Sequence, residues 1–148
     1  MSTNKIDPRG PQFTAALTAV VLAAVLLLAP SAAAVALLAV QAGFFALGAV
    51  RGIQHTPHAW VFRTVVRPRL SPPTHLEDAA PPRFAQAVGL AFAVAGLLGY
   101  LLGSEIAGAI AVGFALTAAL LNAVFRFCLG CEMYLVLKRL TARTAQPI

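Results

Sequence analysis

In a chain of 148 residues that is 59% hydrophobic and only 11% charged, the polar residues are too few to cover a soluble core. Eleven Lys and Arg against five Asp and Glu give a net charge of +6, which in a soluble protein would point to nucleic acid and in a membrane protein is read by side. This balance argues against a disordered chain, a disulfide-stapled secreted module and an ordinary cytosolic enzyme, and nucleic acid is not an expected partner.

In chain order, the sequence reads as one membrane domain, residues 1–148. It comprises an N-terminal tail (1–12), a first hairpin (13–50), a basic Pro-rich loop (51–83), a second hairpin (84–125) and a C-terminal segment with its tail (126–148). Four uncharged apolar stretches run from Phe13 to Ala29, Ala32 to Val50, Phe84 to Leu102 and Ile106 to Phe125. Each is close to the roughly 20 residues a helix needs to cross about 30 Å of hydrocarbon. Only Pro30 and Ser31 separate the first two, and Gly103, Ser104 and Glu105 the last two, so the spacing predicts two tight helical hairpins. A secretory signal peptide is the rival reading of the first stretch, with Lys5 and Arg9 as its charged start and Ala32 to Ala34 as a cleavage site. The run is longer than a usual signal core and Asp7 and Pro8 flank it poorly, which favours a span.

The residues before the first and third spans resemble each other: Asp7-Pro8-Arg9-Gly10-Pro11-Gln12-Phe13 against Asp78-Ala79-Ala80-Pro81-Pro82-Arg83-Phe84. Pro stops the incoming chain just before an apolar helix in both, so each half contributes one hairpin with the same membrane sense. The basic residues lie before the first span, between the second and third, and after the fourth, with none in either short turn. The positive-inside bias makes that side the cytoplasm, so the expectation is a multi-pass protein of the bacterial inner membrane with both termini cytoplasmic.

Ala, Gly and Leu dominate the spans, as suits close helix packing in lipid. Their polar interruptions include Thr14, Thr18, Gln41, Gln86, Tyr100, Thr117 and Asn122, none ionised at neutral pH, and interhelical hydrogen bonding by Gln41, Gln86 and Asn122 is expected over a relay or ion path. In the loop, Thr56 and Pro57 read as the N-cap and first position of a short helix that ends before Pro68 and lies at the lipid surface. The fold expected is therefore all-α, an integral membrane bundle of four transmembrane helices in two tandem hairpins, with short cytoplasmic interfacial helices.

Both cysteines fall in Cys128-Leu129-Gly130-Cys131, just past the fourth span. A CxxC supplies a thiolate to attack another sulfur and a second thiol to resolve the product. Cys128 is expected to attack and Cys131 to resolve. On a regular helix the two Cβ atoms stand about 5 to 6 Å apart, wide for a disulfide, and a bend at Gly130 is expected to close the gap. At the edge of a reducing compartment the thiols should rest mostly reduced. Arg126 would favour a thiolate and Glu132 oppose it. Two alternatives stand beside this: ordinary buried cysteines, and a metal held by Cys128 and Cys131 with His55, His58 or His75.

Ile6-Asp7-Pro8-Arg9-Gly10, Ala79-Ala80-Pro81-Pro82-Arg83-Phe84-Ala85 and Phe127-Cys128-Leu129-Gly130-Cys131-Glu132-Met133-Tyr134 together resemble the bacterial integral-membrane family of domain of unknown function 4395. The resemblance covers nearly the whole chain. It implies a small multi-span protein whose genes often accompany thioredoxin-like or rhodanese-like sulfur proteins, with Cys128 and Cys131 as the motif thiols and Arg83 and Phe84 as motif residues without an assigned role.

The leading functional expectation is thiol-disulfide or persulfide exchange through Cys128 and Cys131 with a cytoplasmic thioredoxin-like or rhodanese-like partner. A noncatalytic membrane subunit or scaffold, in a membrane complex or homo-oligomer, is the alternative. Transport of a small sulfur compound comes third. Residues alone identify no cofactor, and the lipid bilayer is the one partner composition dictates.

Overall fold

The structure, a computed structural model, describes residues 4–145. Helices α1 (Arg9–Leu28), α2 (Ala32–Arg51), α4 (Ala80–Leu101) and α5 (Glu105–Phe125) are the long apolar ones, and each is long and apolar enough to cross a membrane. Two shorter helices, α3 (Pro57–Val61) and α6 (Leu129–Thr144), follow the two hairpins. Many large apolar side chains on the outer faces, among them Val20, Leu27, Leu98, Leu101, Ile110 and Phe114, are exposed. Such a surface is stable against lipid and not against water, so the chain is a multi-pass membrane protein.

The long helices form a ring in which α1 packs on α2 and α5, and α4 on α2 and α5. Helices α1 and α4 begin ahead of their apolar runs because local chemistry starts the helix early. Asp7 accepts the Arg9 N–H at 3.0 Å before α1, and Asp78 accepts the Ala80 N–H at 3.0 Å before α4. The Ser31 hydroxyl caps α2 by accepting the Ala34 N–H at 3.3 Å. The two matching entries also pair with each other. Strand β1 (Lys5–Ile6) lies antiparallel to β2 (Glu77–Asp78), with Lys5 opposite Asp78 and Ile6 opposite Glu77. The sequence repeat is thus a repeat of structure, each unit a hairpin followed by an interfacial helix.

In both units that following helix folds back on the start of the hairpin. Phe62, in the π turn Phe62–Val66 that continues α3, packs on Phe13 with ring centroids 5.8 Å apart. Tyr134 of α6 packs on Phe84 at the same centroid distance. As expected, Thr56 caps α3, its hydroxyl accepting the Ala59 N–H at 3.3 Å. Of the apolar residues in this segment Ala59 and Phe62 turn inward, while Trp60 remains exposed. Buried His58 meets Phe44 edge-on at 5.2 Å, and burial pushes its imidazole below the ordinary 6.5.

Packing is tightest in the half of the bundle near the two short turns. There Leu22, Val25, Leu38 and Val112 are completely buried, with Ala34, Ala93 and Tyr100 around them. Glycines let the backbones meet: a Cβ on Gly99 would stand 2.5 Å from the Gly108 nitrogen and 2.7 Å from its Cα. All eleven Lys and Arg belong to segments at the opposite end of the bundle, whereas Glu105, at the start of α5, stands at the short-turn end with no counterpart charge nearby in sequence.

Because the atoms facing Gly99 are backbone, Gly99→Ala is expected to lower stability by about 1–3 kcal/mol, whereas Gly43→Ala, with nothing within 4 Å, should be neutral. Thermal unfolding in detergent measures both. A lowered imidazole pKa adds stability that is present above 6.5 and is lost as pH falls through the folded value. The melting midpoint should therefore fall between about pH 7.5 and pH 5.5, and fall less in His58→Gln.

Candidate thiol site at the basic end of the bundle

Helix α5 ends because Arg126 turns left-handed, with φ 56° and ψ 26°. Its N–H reaches the Asn122 carbonyl at 3.1 Å and the Phe127 N–H reaches that of Leu121 at 3.3 Å, closing the last turn. A side chain in this region is uncommon, and glycine is the residue that usually takes it. The turn leaves Cys128 extended, at φ −90° and ψ 103°, as the N-cap of α6. Its Sγ accepts the Cys131 N–H at 3.3 Å, and the Cys128 carbonyl accepts from Glu132 at 3.0 Å. The two sulfurs are bonded, across a Cα–Cα distance of 5.2 Å.

This corrects one expectation. The pair does not ride on a regular helix closed by a bend at Gly130: Cys128 stands outside the helix and Cys131 in its first turn, and the cap brings their sulfurs together. Gly130 has a different task. It is buried against α4, where an added Cβ would lie 2.6 Å from both Cα and Cβ of Ala85. With Phe84 on Tyr134, this docks the cysteine motif directly on the segment around Arg83. Arg83 itself donates from Nε to the Ala49 carbonyl and from Nη2 to that of Val50, both at 2.7 Å, and so caps α2. The sequence alone left Arg83 and Phe84 without roles; Phe84 holds α6 on α4, and Arg83 ties α4 to the end of α2.

Cys128 lies between two cavities. The first, about 420 Å³, is a polar cleft that also holds Cys131, with Arg9 and Arg126 on one side of the charge balance and Asp78, Glu77 and Glu132 on the other. Arg9 is held there by Asp7 at 2.8 Å and by the Ser71 carbonyl at 3.0 Å. The Arg9 hydrogen bond keeps the Asp7 carboxyl below its ordinary 3.8, so that ion pair persists at neutral pH. Gln12 spans from α1 to the Ala123 carbonyl at 2.9 Å, bracing the cleft floor.

The second cavity, about 250 Å³, opens on the other side of Cys128 within the bundle. Its walls are mostly apolar, with Phe45, Phe92 and Phe114, and its polar groups include Thr14, Thr18 and Gln86. Thr14 is 2% exposed and its hydroxyl has no hydrogen-bond partner among the described residues. A buried group left unpaired costs on the order of 1–3 kcal/mol. Of the expected interhelical bonds, Gln41 reaches Thr18 at 3.5 Å, whereas Gln86 faces this cavity and the Asn122 side chain the polar cleft.

The histidines do not assemble with the cysteines. His58 is buried beside Phe44, and His55 lies in the turn Ile53–His55. His75 shares the polar cleft but its Nε2 faces Glu77 at 3.3 Å and its Nδ1 faces Thr74 at 3.2 Å. Among the described residues no group of three or more His, Cys, Asp or Glu is placed to hold a metal ion. The alternative ligand set of Cys128, Cys131, His55, His58 and His75 is thus not formed.

A family model described as Domain of unknown function (DUF4395) matches residues 6–139. No curated protein and no solved structure matches the chain.

Gly130→Ala should lift α6 from α4, because Ala85 Cα cannot yield, at a cost of about 1–3 kcal/mol. The expected readout is faster alkylation of Cys128 and Cys131 after reduction, with partial recovery when Ala85→Gly is added.

Proposed function

The chain belongs to that family, domain of unknown function 4395, and on this premise we propose that it carries out thiol-disulfide or persulfide exchange through Cys128 and Cys131. The single observation that carries the reading is Cys128 at the N-cap of α6, its sulfur on the Cys131 N–H and facing a polar cleft. Backbone N–H groups and the positive end of the helix dipole favour a thiolate at such a place, and a thiolate is the attacking species. Arg126 in the same cleft supports it, and Glu132 works against it.

With the pair reduced, the Cys128 thiolate attacks one sulfur of a partner disulfide and expels the other as a thiolate. Cys131 then loses its proton and attacks Cys128, which releases the second partner sulfur and leaves the Cys128–Cys131 bond. Two electrons pass to the partner. With a persulfide as partner, Cys128 instead takes up the outer sulfur, and Cys131 resolves it as hydrosulfide. A thioredoxin-like or rhodanese-like protein is the partner class, and the excess of cations at this end supports placing the site on the cytoplasmic side of a bacterial inner membrane, with both termini there.

A Cys131→Ser protein should trap a mixed disulfide between Cys128 and a thioredoxin-like partner, released by reductant and absent when Cys128→Ser is added. No adduct, together with a reduced native pair inert to alkylation, would sink the reading. Full partner binding and cellular activity in the double serine variant would favour the scaffold alternative.

A further inference from the structure

The apolar cavity beneath Cys128 has a composition that the exchange reaction with a soluble partner does not use. Cys128 borders both spaces, whereas Cys131 borders only the polar cleft. No ionisable side chain other than that cysteine lines the inner one, which selects a neutral ligand. Phe92 and Phe114, with centroids 6.0 Å apart, stand at its wall and are both exposed on the outer surface of the bundle, so it is reached from lipid. Thr14, whose buried hydroxyl has no partner among the described residues, and Gln86 both belong to its lining and carry hydrogen-bond donors.

We propose that this cavity takes the ring of a membrane-dissolved quinone and that the cysteine pair exchanges electrons with it. Four features of the pocket match one ligand class. A quinone is neutral, its flat ring suits aromatic walls, its two carbonyl oxygens accept from Thr14 and Gln86, and its tail remains among the acyl chains. At about 250 Å³ the space holds a ring and little else, just below the roughly 300–1,000 Å³ of pockets that enclose drug-sized ligands.

The step rests on the exchange reading above and balances as written. Two S–H bonds break at Cys128 and Cys131, one S–S bond forms, and two electrons and two protons convert the quinone to its hydroquinone with two new O–H bonds. Read with the partner reaction in reverse, the pair links a soluble dithiol in the cleft to a two-electron acceptor in the bilayer, through the one cysteine that borders both spaces.

The test uses the full chain in lipid nanodiscs and a fully ring-substituted benzoquinone with a decyl tail, whose ring carbons are closed to thiol addition. Binding is measured by equilibrium dialysis on the Cys128→Ser, Cys131→Ser protein, which has no thiol to react. Saturable binding above lipid partition is expected, about tenfold weaker in Thr14→Val or Gln86→Leu, as for the loss of one hydrogen bond, and restored in Thr14→Ser. With native cysteines, each quinone reduced should leave one disulfide by mass after alkylation. No saturable binding, or equal binding in the Thr14 and Gln86 variants, would overturn the proposal while leaving partner trapping untouched. Retained binding with a thiol pair that neither traps a partner nor reduces quinone would overturn the exchange reading and the electron step with it.

Discussion

The docking of α6 on α4 at Gly130 and Ala85 is the contact on which the rest of the site depends. At that separation no side chain fits at position 130, so the helix axis comes as near to α4 as its backbone allows. The N-terminus of α6 is then set at the mouth of the bundle, and the residue preceding it must cap the helix while bordering both the cleft and the interior. Cys128 occupies that position. Arg126 reverses the chain sharply enough to reach it, and the left-handed turn places a guanidinium on the same cleft.

The two halves show what is scaffold and what is chemistry. In the first half Thr56 caps α3 and its hydroxyl accepts from Ala59; in the second, Cys128 caps α6 and its sulfur accepts from Cys131, each bond at 3.3 Å. Thr56 and Cys128 are therefore equivalent in structure, as are Ala59 and Cys131. The repeat supplies the same cap twice, and only the second copy has sulfur at both positions. The first copy is also more self-contained, since the Thr56 hydroxyl donates to the Ile53 carbonyl at 2.7 Å.

Much of the architecture was legible because lipid leaves few options. Uncharged runs of membrane length, separated by Pro-Ser and Gly-Ser-Glu, can only be hairpins, and Thr56-Pro57 carried a complete helix-start signal. The Asp-to-Phe repeat foretold two like units. The local geometry of the thiols was not legible, because it depends on a left-handed arginine where glycine would have been the readable sign. Nor was the role of Gly130, which looks like a flexible point until Ala85 is set against it. Arg83 and Phe84 act on residues far along the chain, and Thr14 looks in sequence like any small polar residue in a span. Its significance comes from the space beside it.

The placing of both cavities against one cysteine has an electrical consequence for the proposed exchange. In the proposed exchange, electrons passing from the cysteines to the inner cavity would be accompanied by protons and would displace almost no net charge. A transmembrane voltage acts on charge moved through the field. The proposed reaction would therefore be electroneutral, neither drawing on the membrane potential nor adding to it.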